Sequence, residues 1–125
     1  TLGRRSAYLM PWFSFTTGVG FTFKSLADGQ LGTTKATLYT CPASTSAIVS
    51  KIHLVNTGDS DVTLNIYFKA SGGTSRRICP KDMTLKAGYM AVLDDEVVME
   101  AADIIEGDAS VASQVDYTIS GLQKV

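Results

Sequence analysis

Residues 62–69 read VTLNIYFK, and this stretch decides the fold class of the chain. Every second position, beginning at Val62, carries an apolar side chain, and the positions between them, beginning at Thr63, carry more polar ones. Successive side chains of a β-strand point to opposite faces of its sheet. The alternation therefore predicts a strand with one buried face and one face turned towards solvent.

A second alternating segment, Ser46–Asn56, precedes this strand, with Ile48, Ile52 and Leu54 on one face. The two segments are separated by residues 56–61, which read NTGDSD and include Asn, Gly and Asp, residue types that tolerate the left-handed conformations of turns. We therefore expect the two strands to form a β-hairpin around this turn.

Shorter strand candidates fill much of the rest of the chain, at intervals typical of all-β domains. They are Thr34–Cys41, Arg77–Cys79, Met83–Lys86, Tyr89–Leu93, Val97–Glu100, Asp103–Glu106 and Val115–Gly121. Turn signals are predicted at residues 71–75, 86–88, 94–95 and 106–108. A parallel α/β fold would need helical crossovers of about ten residues or more, and no segment has that pattern. The sequence predicts an all-β, two-sheet antiparallel β-sandwich, jelly-roll-like in topology.

The first 33 residues differ from the rest because they contain six of the eleven aromatic residues and little regular periodicity. Glycines and Pro11 interrupt any helix, and only Val19–Leu26 has a plausible strand pattern. We predict an extended N-terminal arm over residues 1–33 and a β-sandwich domain over residues 34–125. The aromatic side chains either fold back to complete the core or extend into neighbouring subunits.

Composition favours self-association. Charged residues make up 18% of the chain, against about 25% in an average soluble domain, while 45% of the residues are apolar. A small domain with so little charge is expected to cover part of its surface with other subunits, so we predict a homo-oligomer.

Charge is unevenly distributed along the chain, although the net charge is only -1. Residues 1–58 are net positive, whereas residues 94–116 contain eight carboxylates and no basic residue. Nucleic-acid binders need a cluster of Lys and Arg, so we predict no nucleic-acid partner. The acidic run is either a solvated face or a patch that docks the basic N-terminal end of a neighbouring copy.

Catalytic and metal-binding patterns are weak. His53 is the only histidine of the sequence, and neither Cys41 nor Cys79 lies near it along the chain. The two cysteines are too far apart for a Cys-x-x-Cys motif and are expected to be buried free thiols, with a disulfide as the alternative. Residues 94–96 are expected to form a solvated turn, and residues 56–61 lack the spacing of a calcium loop. We predict no enzyme activity, no metal and no cofactor.

No export or membrane signal is evident. The most apolar early stretch, residues 7–13, is short and interrupted by proline, and no small-residue cleavage site follows it. We therefore expect a soluble protein with no membrane partner.

Four motifs carry a resemblance to a known class of proteins. They are Leu38–Ala43, Ile52–Thr57, Leu85–Gly88 and Asp116–Gly121. With them, residues 34–121 resemble the small β-sandwich virion structural proteins of tailed bacteriophages, which include head decoration or cement proteins. The chain departs from that pattern at Ala102-Asp103, where a Gly-Asp turn is expected, and at Cys41, where an aliphatic residue is usual.

The resemblance implies a capsid decoration or cement protein that binds the major capsid protein and copies of itself, as a trimer, in virions assembled in the host cytoplasm. The alternatives are a tail or fibre protein and a carbohydrate-binding module, the last using Tyr67 and Tyr89 as exposed platforms. The predicted partner-binding residues all lie in the arm. They are Arg4, Arg5, Tyr8, Trp12, Phe13, Phe15, Phe21 and Phe23.

Overall fold

The computed structural model describes residues 20–124. Every helix or strand assigned in that range is a β-strand. The ten strands are β1 (Thr22–Gln30), β2 (Ala36–Thr40), β3 (Ser46–Asn56), β4 (Val62–Lys69), β5 (Ser75–Arg77), β6 (Met83–Leu85), β7 (Met90–Leu93), β8 (Val97–Met99), β9 (Ile104–Ala109) and β10 (Val115–Lys124). Within the same range, no helix has the length and apolarity needed to span a membrane.

The strands form two antiparallel sheets. The β3 sheet has the order β1-β10-β3-β7, with β8 also paired to β3, and the β4 sheet has the order β2-β9-β4-β5, with β6 also paired to β4. The pairs β5/β6 and β7/β8 each occupy one strand position, so each sheet has four positions. Successive positions alternate between the sheets, except that β4 and β5/β6 lie together in one sheet, as in a jelly roll. The predicted fold class is confirmed.

The core lies between the sheets and is built from the alternation seen in the sequence. Leu64 and Ile66 of β4 are fully buried, as are Leu54 of β3 and Ile119 of β10, which face them from the other sheet. Their side chains occupy every second position of their strands, as predicted for strands with one buried face.

One prediction about β4 was incomplete. Its outward-facing Asn65 and Tyr67 are also buried, with 7% and 9% of their surface exposed. Neighbouring polar side chains cover this face, and hydropathy alternation does not reveal such a cover because it arises from residues distant in sequence.

The predicted hairpin between the alternating segments Ser46–Asn56 and 62–69 was wrong. Strand β3 lies in one sheet and β4 in the other, so the turn at residues 56–61 crosses between the sheets. Alternation establishes that each strand has one buried face, but two strands on opposite sides of a core have the same pattern.

Asn56 organises that crossing turn and is fully buried. Its side-chain Nδ2 donates to the carbonyls of Ser60 (2.8 Å) and Leu85 (2.9 Å). Its Oδ1 accepts from the Gly58 amide and from Gln114 Nε2, both at 3.0 Å. All four hydrogen-bonding positions of the amide are therefore used, and three loops at this end of the sandwich are tied together.

The turn predicted at residues 106–108 was also wrong, because these residues lie inside β9. Gly107 lies where neighbouring groups approach closely: a Cβ there would lie 2.9 Å from Leu38 Cδ1, 3.0 Å from Ile66 Cδ1 and 3.2 Å from the Asn65 carbonyl oxygen. A glycine inside a strand therefore marks a close approach here and not a turn.

Strand β1 lies within residues 1–33, the segment assigned to the arm. It pairs with β10 from Thr22 to Gln30 and forms one edge of the β3 sheet. The sandwich therefore includes residues N-terminal to the predicted boundary at residue 34.

The departure at Ala102 is visible in the backbone. Ala102 adopts φ = 71°, the left-handed conformation that a glycine would adopt at lower cost. The expected glycine-like turn is therefore present although the residue is alanine.

Candidate assembly interface

An apolar row crosses the outer face of the β3 sheet. It consists of Phe23, Leu122, Ile48 and Val98, which lie side by side on β1, β10, β3 and β8. Phe23 is 84% exposed and Val98 is 68% exposed, and the two side chains between them are half-buried. We refer to these four residues as the apolar row.

The side chains of Ile48 and Leu122 in the apolar row point away from the core, because residues next to them in sequence point towards it. Ala47 and Val49 on either side of Ile48 are buried in the core, so Ile48 points outwards. Gln123 donates from Nε2 to the Tyr39 hydroxyl of the opposite sheet at 2.8 Å, so the adjacent Leu122 also points outwards.

A β-bulge creates this arrangement. On β10, Ser120 pairs with Lys51 and the next residue, Gly121, pairs with Val49, so Ser50 of β3 is the extra residue. Each residue inserted into a strand reverses the faces of those beyond it. Ile48 was expected to share the buried face of Ile52 and Leu54, and that expectation was wrong because Ser50 lies between them.

Gly121 permits the two strands to approach at the bulge. A Cβ on Gly121 would lie 2.0 Å from the Ile48 carbonyl oxygen and 3.0 Å from its carbon. No side chain fits that space without moving the backbone of β3.

A second exposed apolar area lies at the opposite end of the same face. Tyr89, Met90 and Val92 are all exposed there, Tyr89 by 64%. Between the two areas the face is polar and includes Ser25, Lys51 and Ser120.

A pocket of about 390 Å³ lies at the β7/β8 edge of the β3 sheet. Aliphatic side chains of Ile52, Ile78, Leu93 and Val97 line it, and Asp94, Asp95 and Glu96 of the β7–β8 turn surround it. We refer to it as the edge pocket. The three carboxylates are exposed, as expected for a turn, and they share with aliphatic side chains a pocket that the sequence did not reveal.

The outer face of the β4 sheet is polar and internally paired. Asn65 Nδ2 donates to Asp82 Oδ1 and to Asp108 Oδ1, both at 3.0 Å. Asn65 Oδ1 accepts from the Asp82 amide at 2.9 Å and also from the Arg77 guanidinium. The buried amide therefore has partners for every donor and acceptor.

Tyr67 belongs to the same polar cluster. Its hydroxyl donates to Asp108 Oδ2 at 3.3 Å, and Lys35 Nζ and the Arg77 guanidinium carbon lie 4.7 Å and 5.1 Å from the ring centre. Burial raises the pKa of the Tyr67 phenol, and the nearby Asp108 carboxylate raises it further. Tyr67 is therefore covered and does not offer the exposed ring face that the carbohydrate-binding alternative needs, whereas Tyr89 is exposed.

The predicted partner-binding residues are only partly described. Arg4, Arg5, Tyr8, Trp12, Phe13 and Phe15 lie outside the described residues. Phe21 and Phe23 are exposed at the start of β1, and Phe23 lies in the apolar row. The sequence did not identify Leu122, Ile48 or Val98 as partner-binding residues. Val98 could have been found because it lies between two other apolar residues, whereas nothing in the sequence indicates the bulge.

Cys41 and Cys79 are both free and buried. Burial raises the pKa of each thiol, which favours the uncharged form. Among residues 20–124, no group of three or more His, Cys, Asp or Glu side chains is placed to hold a metal ion.

Comparison with known proteins identifies the fold but no family. No protein-family model matches the chain, and no curated protein matches it. Nine chains of solved structures do match. One belongs to the acidic stable capsid structure of Helicobacter pylori bacteriophage KHP30, with a TM-score of 0.51, 13% identity, and coverage of 84% of this chain and 87% of that one.

Another similar chain belongs to Bacillus endospore appendages, described as a novel family of disulfide-linked pili. Its TM-score is 0.50 and its identity 18%, with coverage of 90% of this chain and 96% of that one. At such identities the likeness establishes a shared sandwich fold. In both comparisons the matched region covers most of this chain and most of the similar chain.

Proposed function

We propose that this protein is a virion structural subunit, and more specifically a capsid decoration or cement protein of a tailed bacteriophage. The observation that carries the proposal is the apolar row on the outer face of the β3 sheet. It lies on the far side of the sheet from the core, where residues 20–124 leave Phe23 and Val98 facing solvent.

The size of the row suits a contact between subunits. Four adjacent strands at about 4.8 Å spacing extend about 14 Å across the sheet. Covering the exposed parts of Phe23 and Val98 would contribute about 1.5–3 kcal/mol for each side chain fully buried. Contiguous exposed apolar surface on a small domain is typical of a protein–protein contact.

The likeness to a chain of a phage capsid structure supports the virion setting, because that chain has a similar length and the same sandwich. Jelly-roll sandwiches are also a common architecture of viral shells. The partners that we propose are the major capsid protein and further copies of this chain, arranged as a symmetric trimer.

The test compares oligomeric state among surface variants. We expect the wild-type chain to form an oligomer by multi-angle light scattering and the double variant Phe23→Ser/Val98→Ser to be a folded monomer. The matched control is Val111→Ser, which changes an exposed valine outside the row and should leave the oligomer intact.

A wild-type chain that is monomeric at all concentrations and does not bind purified phage capsids would overturn the proposal. So would a double variant that associates as the wild type does, because the row would then contribute nothing to assembly.

A further inference from the structure

The edge pocket combines two features that together suit one kind of ligand. Its wall is aliphatic, formed by Ile52, Ile78, Leu93 and Val97, and its rim carries Asp94, Asp95 and Glu96. A volume of about 390 Å³ is at the small end of the range for binding pockets. It would accept one large apolar side chain that is flanked by positive charge.

We propose that the edge pocket binds residues Arg4–Leu9 of a second copy of this chain, a contact that rests on the proposed assembly function. In this contact Arg4 and Arg5 face the carboxylates of the rim, and Tyr8 packs against the aliphatic side chains of the pocket.

Charge complementarity supports this occupant. Residues 1–19 carry two arginines and no acidic residue, whereas residues 87–123 contain no lysine or arginine. Arginine pairs with carboxylates through a planar, multidentate group and also packs on aromatic rings, so it suits an acidic rim beside an apolar cavity.

Spacing selects Tyr8 over the later aromatics. Tyr8 follows Arg5 by three residues, at most about 10 Å of extended chain, whereas Trp12 follows by seven residues, or about 23 Å. Rim and wall belong to one small cavity, so the nearer aromatic matches its dimensions.

Strand order favours a second copy as the source of the segment. Residues 1–19 join the sandwich at β1, one edge of the β3 sheet, and the edge pocket lies at β7/β8, the other edge. In a head-to-tail arrangement the β1 edge of one copy lies beside the β7/β8 edge of the next. Repetition of that contact closes into a ring, such as the proposed trimer, when the rotation between copies is a whole fraction of a turn.

The experiment uses two charge-reversed full-length chains. The first is Arg4→Glu/Arg5→Glu and the second is Asp94→Lys/Asp95→Lys; Asp59→Lys, on another exposed turn, is the matched control. Alone, each double variant should associate about tenfold more weakly than the wild type in sedimentation velocity at low salt, because like charges then meet at the contact. The control should associate normally.

Mixing the two variants shows whether the segment binds the pocket of a second copy or the pocket of its own chain. In the mixture, the segment of each variant meets a pocket of opposite charge only on the other variant. A trimer of two variants can match at most two of its three contacts, so association should recover in part, above the level of either variant alone. The differences in association between the variants and the wild type should disappear at 1 M salt, where the Debye length is about 3 Å.

Two results would overturn the inference. Association of both variants at the wild-type level would exclude the charge contact. Recovery in a single chain carrying all four substitutions, without recovery in the mixture, would show that the segment binds its own pocket. Both results leave the apolar row and the proposed function untouched, since that function is tested by the Phe23 and Val98 variants.

Discussion

The outer faces of the two sheets differ in whether their side chains find partners among the described residues of the same chain. On the β4 sheet, Asn65 and Tyr67 are buried beneath charged neighbours, and their polar atoms pair with groups of the same chain. On the β3 sheet, Phe23 and Val98 project into solvent. Among the described residues, the first face is paired within the chain, whereas the second carries exposed apolar side chains that the proposed assembly would cover. Substitutions should therefore affect folding on the first face and assembly on the second.

The largest effect on folding is expected for Asn65→Ala on the β4 sheet. Removing the side-chain amide breaks its hydrogen bonds with Arg77, Asp82 and the half-buried Asp108, at a cost of about 3 kcal/mol. Urea unfolding followed by fluorescence measures this loss. Thr84→Ala, at an exposed position of β6, is the control and should change the free energy of unfolding by less than about 0.5 kcal/mol. Equal effects at the two positions would show that the polar cluster does not stabilise the fold.

A smaller effect is expected for Tyr67→Phe, which removes the hydrogen bond to Asp108 but keeps the ring. We expect a loss of about 1 kcal/mol at pH 7. Because the phenol pKa is raised above its ordinary 10.0 in the folded chain, its contribution is fully present below that pH and is lost as the pH rises through the folded pKa.

As the pH rises above 10, the Phe variant should therefore lose less stability than the wild type. Part of the decline remains in the variant because burial also raises the pKa values of Tyr39 and Tyr117. Identical alkaline profiles for the two proteins would contradict the assignment of a buried, raised phenol at position 67.

The smallest effect on folding is expected for Phe23→Ser on the β3 sheet. The side chain is already mostly exposed, so unfolding of the monomer at low concentration should change by less than about 0.5 kcal/mol. A loss as large as that of Asn65→Ala would mean that Phe23 supports the fold, and the contrast between the two faces would not hold.

Much of the fold could be predicted from local pattern. Alternation located the strands that carry Ile52 and Leu64, and the turns at residues 86–88 and 94–95 lie between strands as expected. The sheet to which each strand belongs could not be predicted from the sequence, because β3 and β4 have the same alternation although they lie on opposite sides of one core. Gly107 was misjudged because its role depends on Leu38 and Ile66, which come from other strands.

The candidate interface was harder to predict. Phe23 was identified from its aromatic context, but Ile48 faces outwards because of the bulge at Ser50, which leaves no mark in hydropathy. Leu122 was missed because the predicted last strand ended at Gly121. The partners of Asn65 come from positions 17 and 43 residues away along the chain. Pairings of this kind arise only when the strands are brought together.

The extra residue Ser50 also has an evolutionary consequence. Loss of this one codon would return β3 to uninterrupted alternation, so that Ile48 would turn inwards and Ala47 and Val49 outwards. A single deletion could thus exchange the side chains displayed on this part of the domain without altering any other residue. Related proteins that meet different neighbours could diverge by such a step more readily than by successive replacement of each surface side chain.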